Sequence, residues 1–137
     1  MFRHLTSVAA GLTLLAGAAV APAAAQTVHE VRLSGDAEAE TYAFAPATVT
    51  ARAGDVLVFK AVSGGQHGIV FESGMPAAVR TALNAAMPRR VGDLSGPLMG
   101  PGAEYRIVIP AGMPAGRYRF FCLPHRAYDE VGYLVIR

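Results

Sequence analysis

The sequence predicts an all-β sandwich with one short helix, and three observations lead there. Short runs of alternating or β-branched residues recur from Val28 to Arg137. Turns bearing Gly or Pro separate them at regular intervals. One segment only, Pro76–Met87, breaks the pattern: it opens on Pro, lacks Gly and is dominated by Ala, Leu, Val and Arg, which suits a short helix with Pro near its first position.

The chain has 137 residues, enough for one domain. Its first stretch reads as separate from that domain. Met1–His4 carries Arg3, an apolar run extends from Leu5 to Val20, and Ala23-Ala24-Ala25 forms a small-residue cleavage site after Pro22. That order marks a secretory signal peptide over residues 1–25. A membrane anchor fits less well, because the run is short, rich in Gly and Ala, and ends at a cleavage site. No Cys follows it to carry a lipid, and no Arg pair precedes it. Residues 26–137 then form one exported domain with no second apolar span, so no stable membrane insertion is expected after cleavage.

Within that domain, Val28–Leu33 alternates as a strand, and Ser34–Glu40 is polar, holds Gly35 and reads as a turn. Tyr42–Arg52 reads as one extended segment with an edge or bend at Pro46. Ala53-Gly54-Asp55 is a turn and Val56–Val62 a strand. Ser63-Gly64-Gly65 breaks it, and His67–Phe71 resumes as a strand. Pro88–Gly102 is a loop. Ala103–Ile109 is a strand with Tyr105, Ile107 and Ile109 on one face and Arg106 and Val108 on the other. After a turn at Pro110–Gly116 come a strand at Arg117–Cys122, a loop at Leu123–Val131 and a last strand at Gly132–Arg137.

Charge excludes some functions. The formal net charge is +2, and Arg3 belongs to the leader, so the exported domain is close to neutral with scattered charges. It has no basic stripe for nucleic acid and no large field to attract an acidic partner. Cysteine is more informative. Export favours disulfides, yet the chain holds 1 Cys, Cys122. Such a residue is either a small core hydrophobe or a thiolate bound to metal.

The neighbours of Cys122 decide between these. Cys122 ends a strand, and His125 follows three residues later across Leu123-Pro124, with Pro124 stiffening the loop just before it. A thiolate and an imidazole at that spacing can face one ion, and His67, just after a glycine break, can supply a second imidazole. Two nitrogens and one sulfur in a plane with a weaker fourth donor suit copper electron transfer, because soft sulfur favours Cu(I) while imidazole accepts both oxidation states.

The run Tyr118-Arg119-Phe120-Phe121-Cys122-Leu123-Pro124-His125, followed by Val131-Gly132 and a final strand, resembles the plastocyanin-like cupredoxins, the blue copper proteins. Phe44-Ala45-Pro46, then Gly54-Asp55-Val56-Leu57-Val58-Phe59, then His67-Gly68-Ile69-Val70-Phe71 are similar to that family in the same order. The resemblance spans the exported domain. It implies a Greek-key cupredoxin sandwich binding one copper near one end, with His67, Cys122 and His125 as in-plane ligands. It also implies a redox partner protein docking near His125, on an exposed rim expected to include Leu123, Pro124 and Met99.

One position departs from the family. The axial Met expected after four intervening residues beyond His125 is replaced by Glu130, while the following Val131-Gly132 keeps its spacing. Met75, Met87, Met99 and Met113 all precede Cys122 and read as packing residues. An oxygen donor at Glu130 would favour Cu(II) and lower the potential. The expected function is a monomeric electron carrier rather than an enzyme, since no open coordination position, catalytic triad or phosphate loop is legible. The rival is a protein that holds copper or zinc for storage, delivery or sensing, because two His, one Cys and one carboxylate also make a zinc set.

Overall fold

The computed structural model describes residues 25–137. The expected signal peptide lies outside the described residues except for Ala25. Eight strands follow in order: β1 Val28–Asp36, β2 Thr41–Ala45, β3 Thr48–Ala51, β4 Val56–Ala61, β5 Ile69–Phe71, β6 Glu104–Val108, β7 Gly116–Cys122 and β8 Val131–Ile136. One helix, α1 Ala77–Ala86, sits between β5 and β6, with Pro76 just before its first residue. Its Val79 and Leu83, one turn apart on one face, are buried.

The strands form two sheets of four, ordered β2-β1-β4-β6 and β3-β8-β7-β5. β1 runs parallel to β4 and β3 parallel to β8, and the other neighbours are antiparallel. Alternation decides what each sheet buries. In β6, Tyr105 and Ile107 point inward while Glu104, Arg106 and Val108 face solvent; Ile109, just past the strand, is buried as well. The inner faces meet in an aromatic centre, where Phe120 packs edge-on against Phe44, Phe59 and Phe71 at centroid distances of 5.0, 5.4 and 5.6 Å. Gly132 belongs to this packing. A Cβ there would stand 2.4 Å from the Phe120 ring, which accounts physically for Gly in the closing strand.

Three boundaries differ from the sequence expectation. Ser34, Gly35 and Asp36 continue β1 and pair with Ala43, Tyr42 and Thr41, so the turn shrinks to residues 37–40. Their polarity reads as a turn, but backbone pairing with β2 claims them. The extended Tyr42–Arg52 segment is two strands in different sheets, because the chain crosses the sandwich around Pro46, which cannot donate to a ladder. The strand expected at His67 starts at Ile69; His67 instead exchanges backbone hydrogen bonds with Met99, at 2.9 and 2.7 Å.

Candidate metal centre

β4 rises from one end of the sandwich and delivers the chain to Ser63-Gly64-Gly65 at the other. Both glycines there adopt positive φ, +89° and +85°, so the chain turns sharply and brings His67 back over the sheet end. The same end receives the last residue of β7, Cys122, and the loop from Leu123 to Glu130 that joins β7 to β8. That loop is tied at both sides. Cys122 N–H donates to the Glu130 carbonyl at 3.0 Å, and Leu123 N–H donates to the Gly68 carbonyl at 3.0 Å. A short 3-10 turn, Arg126–Tyr128, takes up the intervening residues and returns Glu130 inward.

The structure therefore brings all four sequence-predicted site residues together. His67, Cys122, His125 and Glu130 are each buried, and their donor atoms lie within 4.8 Å of one another. Cys122 Sγ stands 3.7 Å from His67 Nδ1 and 3.4 Å from His125 Nδ1. One Glu130 oxygen, Oε2, is 2.7 Å from His125 Nδ1 and 3.3 Å from His67 Nδ1. The other, Oε1, is 3.2 Å from His67 Nδ1 but makes no hydrogen bond, although it is fully buried. Burying such an oxygen without a partner is costly, and a cation is the partner that would satisfy it. One sulfur, two imidazole nitrogens and a carboxylate at these separations fit a single transition-metal ion.

Partners outside the cluster orient its members. His67 directs Nε2 at the Ser63 carbonyl, 2.7 Å away, which fixes a proton on Nε2 and turns Nδ1 to the cluster. Gly68 N–H points at Cys122 Sγ at 3.4 Å. Tyr42 stacks on the His125 ring with centroids 3.7 Å apart.

The electrostatics set the thiol and the carboxyl apart. Burial pushes the Cys122 thiol up to about 12, so it remains protonated at neutral pH and must lose that proton to become a ligand. Burial opposes ionisation of Glu130, yet hydrogen bonds from His67, Cys122 and His125 outweigh it and hold the carboxyl below its ordinary range. Burial likewise opposes a charged His67, but the contacts to Glu130 and the Ser63 carbonyl raise its pKa.

The rim differs from expectation at one residue. Met99 is buried, at 3% exposure, and does not reach the surface. Its neighbour Leu98 is 52% exposed and Leu123 53%. The two backbone hydrogen bonds with His67 fix the orientation of this segment, turning Met99 inward and Leu98 outward. A Cβ on Gly68 would meet Leu98, Leu123 and Pro124, so these three gather around the glycine that touches the Cys122 sulfur.

Two supporting residues were not singled out in the sequence: Tyr42, 83 positions before His125, and Ser63, which acts through its carbonyl. A hairpin register placing Gly35 opposite Tyr42 is the signal that points to the first.

Comparison with known proteins decides the family. A family model described as copper binding proteins, plastocyanin/azurin family, matches residues 29–137. The chain belongs to that family. Plastocyanin of Rumex obtusifolius is 36% identical over 109 residues, covering 79% of this chain and 99% of that protein. Chloroplastic plastocyanin of Pisum sativum is 34% identical over 127 residues, covering 92% and 70%. Among solved structures, oxidized plastocyanin from Dryopteris crassirhizoma superposes with a TM-score of 0.60 at 26% identity, covering 80% of this chain and 100% of that one. A purple cupredoxin from Nitrosopumilus maritimus shares the fold, with a TM-score of 0.52 at 16% identity over 79% and 98%. The expected cupredoxin sandwich is thus the observed one. The plastocyanin/azurin family binds one copper, and its cupredoxins are electron carriers rather than enzymes.

Proposed function

We propose that this cupredoxin carries single electrons on one copper held by His67, Cys122, His125 and Glu130, with Glu130 as the axial donor in place of Met. The observation that carries this is the buried cluster itself, and above all Glu130 Oε1, which is enclosed without a hydrogen-bond partner. Copper bound there supplies a one-electron couple. The protein's part is to hold the ligands still. Cys122 is fixed at the end of β7, His67 by the Ser63 carbonyl, and Glu130 by the short turn and by β8. Rigid ligands keep reorganisation small when an electron moves. The Glu130 charge favours the more highly charged oxidation state and lowers the potential relative to a thioether.

His125 is the outermost of the four residues, with the apolar surface of Leu98, Leu123 and Pro124 near it. A redox partner protein docks there, close to the metal, by apolar contact more than by charge. Residues 1–25 act as a signal peptide and 26–137 work as an exported monomer. No helix among the described residues is long and apolar enough to cross a membrane.

The test is to load the chain beginning at Gln26 with Cu(II). The expected result is one copper per chain, an intense visible sulfur-to-copper band, reversible one-electron reduction and fast self-exchange. Competition between Cu(II) and Zn(II), read by mass spectrometry, is expected to end with copper in the site. Retained zinc under excess Cu(II), or copper that does not cycle, would support the holding role instead.

A further inference from the structure

Tyr42 lies on β2, outside the ligand loop, yet its ring is nearly parallel to the His125 imidazole, with an interplanar angle of 15° and centroids 3.7 Å apart. The placement is built rather than incidental. Gly35 sits opposite Tyr42 in the β1–β2 ladder, and a Cβ on Gly35 would stand 2.3 Å from Tyr42 Cδ1 and 2.7 Å from Cε1. The ring therefore lies against Gly35 in space that any larger residue would fill. Gly35 is itself held from behind. A Cβ on Gly64 would come within 2.7 Å of the Gly35 Cα, and Ser63 Oγ accepts from Gly35 N–H at 3.3 Å and donates to its carbonyl at 3.2 Å. Ser63 also receives His67 Nε2 on its carbonyl. One short segment thus braces both histidines: directly for His67, and through Gly35 and Tyr42 for His125. The Tyr128 ring also lies beside Tyr42, with centroids 5.2 Å apart and planes tilted by 44°.

We propose that Tyr42 is a positioning residue for His125: its ring, seated on Gly35, fixes the imidazole plane so that the outermost ligand neither rotates when the metal changes charge nor swings away from it. The proposal rests on the assignment of His125 as a ligand. The brace matters at this residue because His125 lacks what holds the others. Among the described residues, its side chain makes hydrogen-bonding contacts only with Cys122 and Glu130, both members of the cluster. The strand β1 continues through Ser34–Asp36, where polarity suggests a turn, and this continuation carries Gly35 to the site.

The experiment compares wild type, Tyr42→Phe, Tyr42→Leu and His125→Gly. In the metal-free wild type, NMR is expected to show one sharp set of His125 ring signals, shifted upfield by the Tyr42 ring current. Broad or unshifted signals in the wild type would overturn the proposal without recourse to any variant. Tyr42→Leu is expected to broaden those signals, to speed copper release roughly twofold to tenfold, as a stacked aromatic pair implies, and to slow electron self-exchange. Tyr42→Phe is expected to restore all three, because the ring and not the hydroxyl does the bracing. Unchanged release and unchanged ring signals in Tyr42→Leu would contradict the inference. His125→Gly separates the two readings. If it keeps the copper band and the release rate, His125 is no ligand and the functional assignment fails. If it loses them while Tyr42→Leu keeps the wild-type release rate and ring signals, only the role of Tyr42 fails.

Discussion

The two ends of β4 hold the same kinds of residue in opposite states. Before the strand, His29 and Asp55 meet at 2.9 Å, and both Asp55 oxygens are satisfied: Oδ1 accepts from Thr27 N–H, and Oδ2 from Arg52 N–H and His29. Beyond it, two histidines and a carboxylate converge with a thiol in a buried cluster that leaves Glu130 Oε1 without a hydrogen bond. A histidine–carboxylate contact is therefore no sign of a metal site in itself. The deciding features are burial, a soft donor and an unmet valence. At the first end the polar groups complete a turn; at the second they form a donor set that fits a cation.

The largest effect expected from this contrast comes from Cys122→Ser, which should abolish the visible charge-transfer band, because that band needs a sulfur-to-copper bond. A retained band would mean that the sulfur is not a ligand and that the two ends differ less than their geometry suggests. Next in size is metal removal. Stripping copper with a chelator should lower the thermal midpoint measurably, since a ligand present at a thousandfold its Kd stabilises the fold by about 4 kcal/mol. Equal midpoints with and without copper would contradict a cluster completed by metal.

The smallest effect belongs to the other end. The hydrogen bond from His29, then that from Arg52 N–H, hold the Asp55 carboxyl below its ordinary range. A carboxylate with a depressed folded pKa adds stability that is present above the unfolded value, near 4, and is lost as pH falls through the lower folded value. Asp55→Asn should therefore lower stability slightly at neutral pH and flatten its fall in acid. The loss should be the same with and without copper. A copper-dependent loss would show that the two ends are coupled through β4.

Much of this was legible in the sequence, for reasons that can be named. Alternation in Ala103–Ile109 and the lone helix-like stretch required only local pattern. The cluster was legible because Cys122, His125 and Glu130 lie within nine consecutive residues, and the kept Val131-Gly132 fixes the loop length. What was hidden depends on register and packing. Polar Ser34–Asp36 reads as a turn until β2 is seen pairing with it. Leu98 rather than Met99 faces solvent because backbone pairing with His67 sets the orientation, which composition does not encode. Tyr42 reaches His125 only because Gly35 leaves room, and a sequence shows a glycine without showing what lies against it.

The central claim is that Glu130 touches the copper. Its most direct test is the reduction potential and visible spectrum of the copper-loaded Glu130→Met protein beside the wild type. Two unit charges about 4 Å apart interact by about 4 kcal/mol at an effective dielectric near 20, so removing the carboxylate charge beside the metal corresponds to a rise on the order of 100–200 mV. The account predicts a rise of that order and a shift of the spectrum toward the bluer, less axially bound type. An unchanged potential with an unchanged spectrum would contradict it, leaving a copper held by His67, Cys122 and His125 alone.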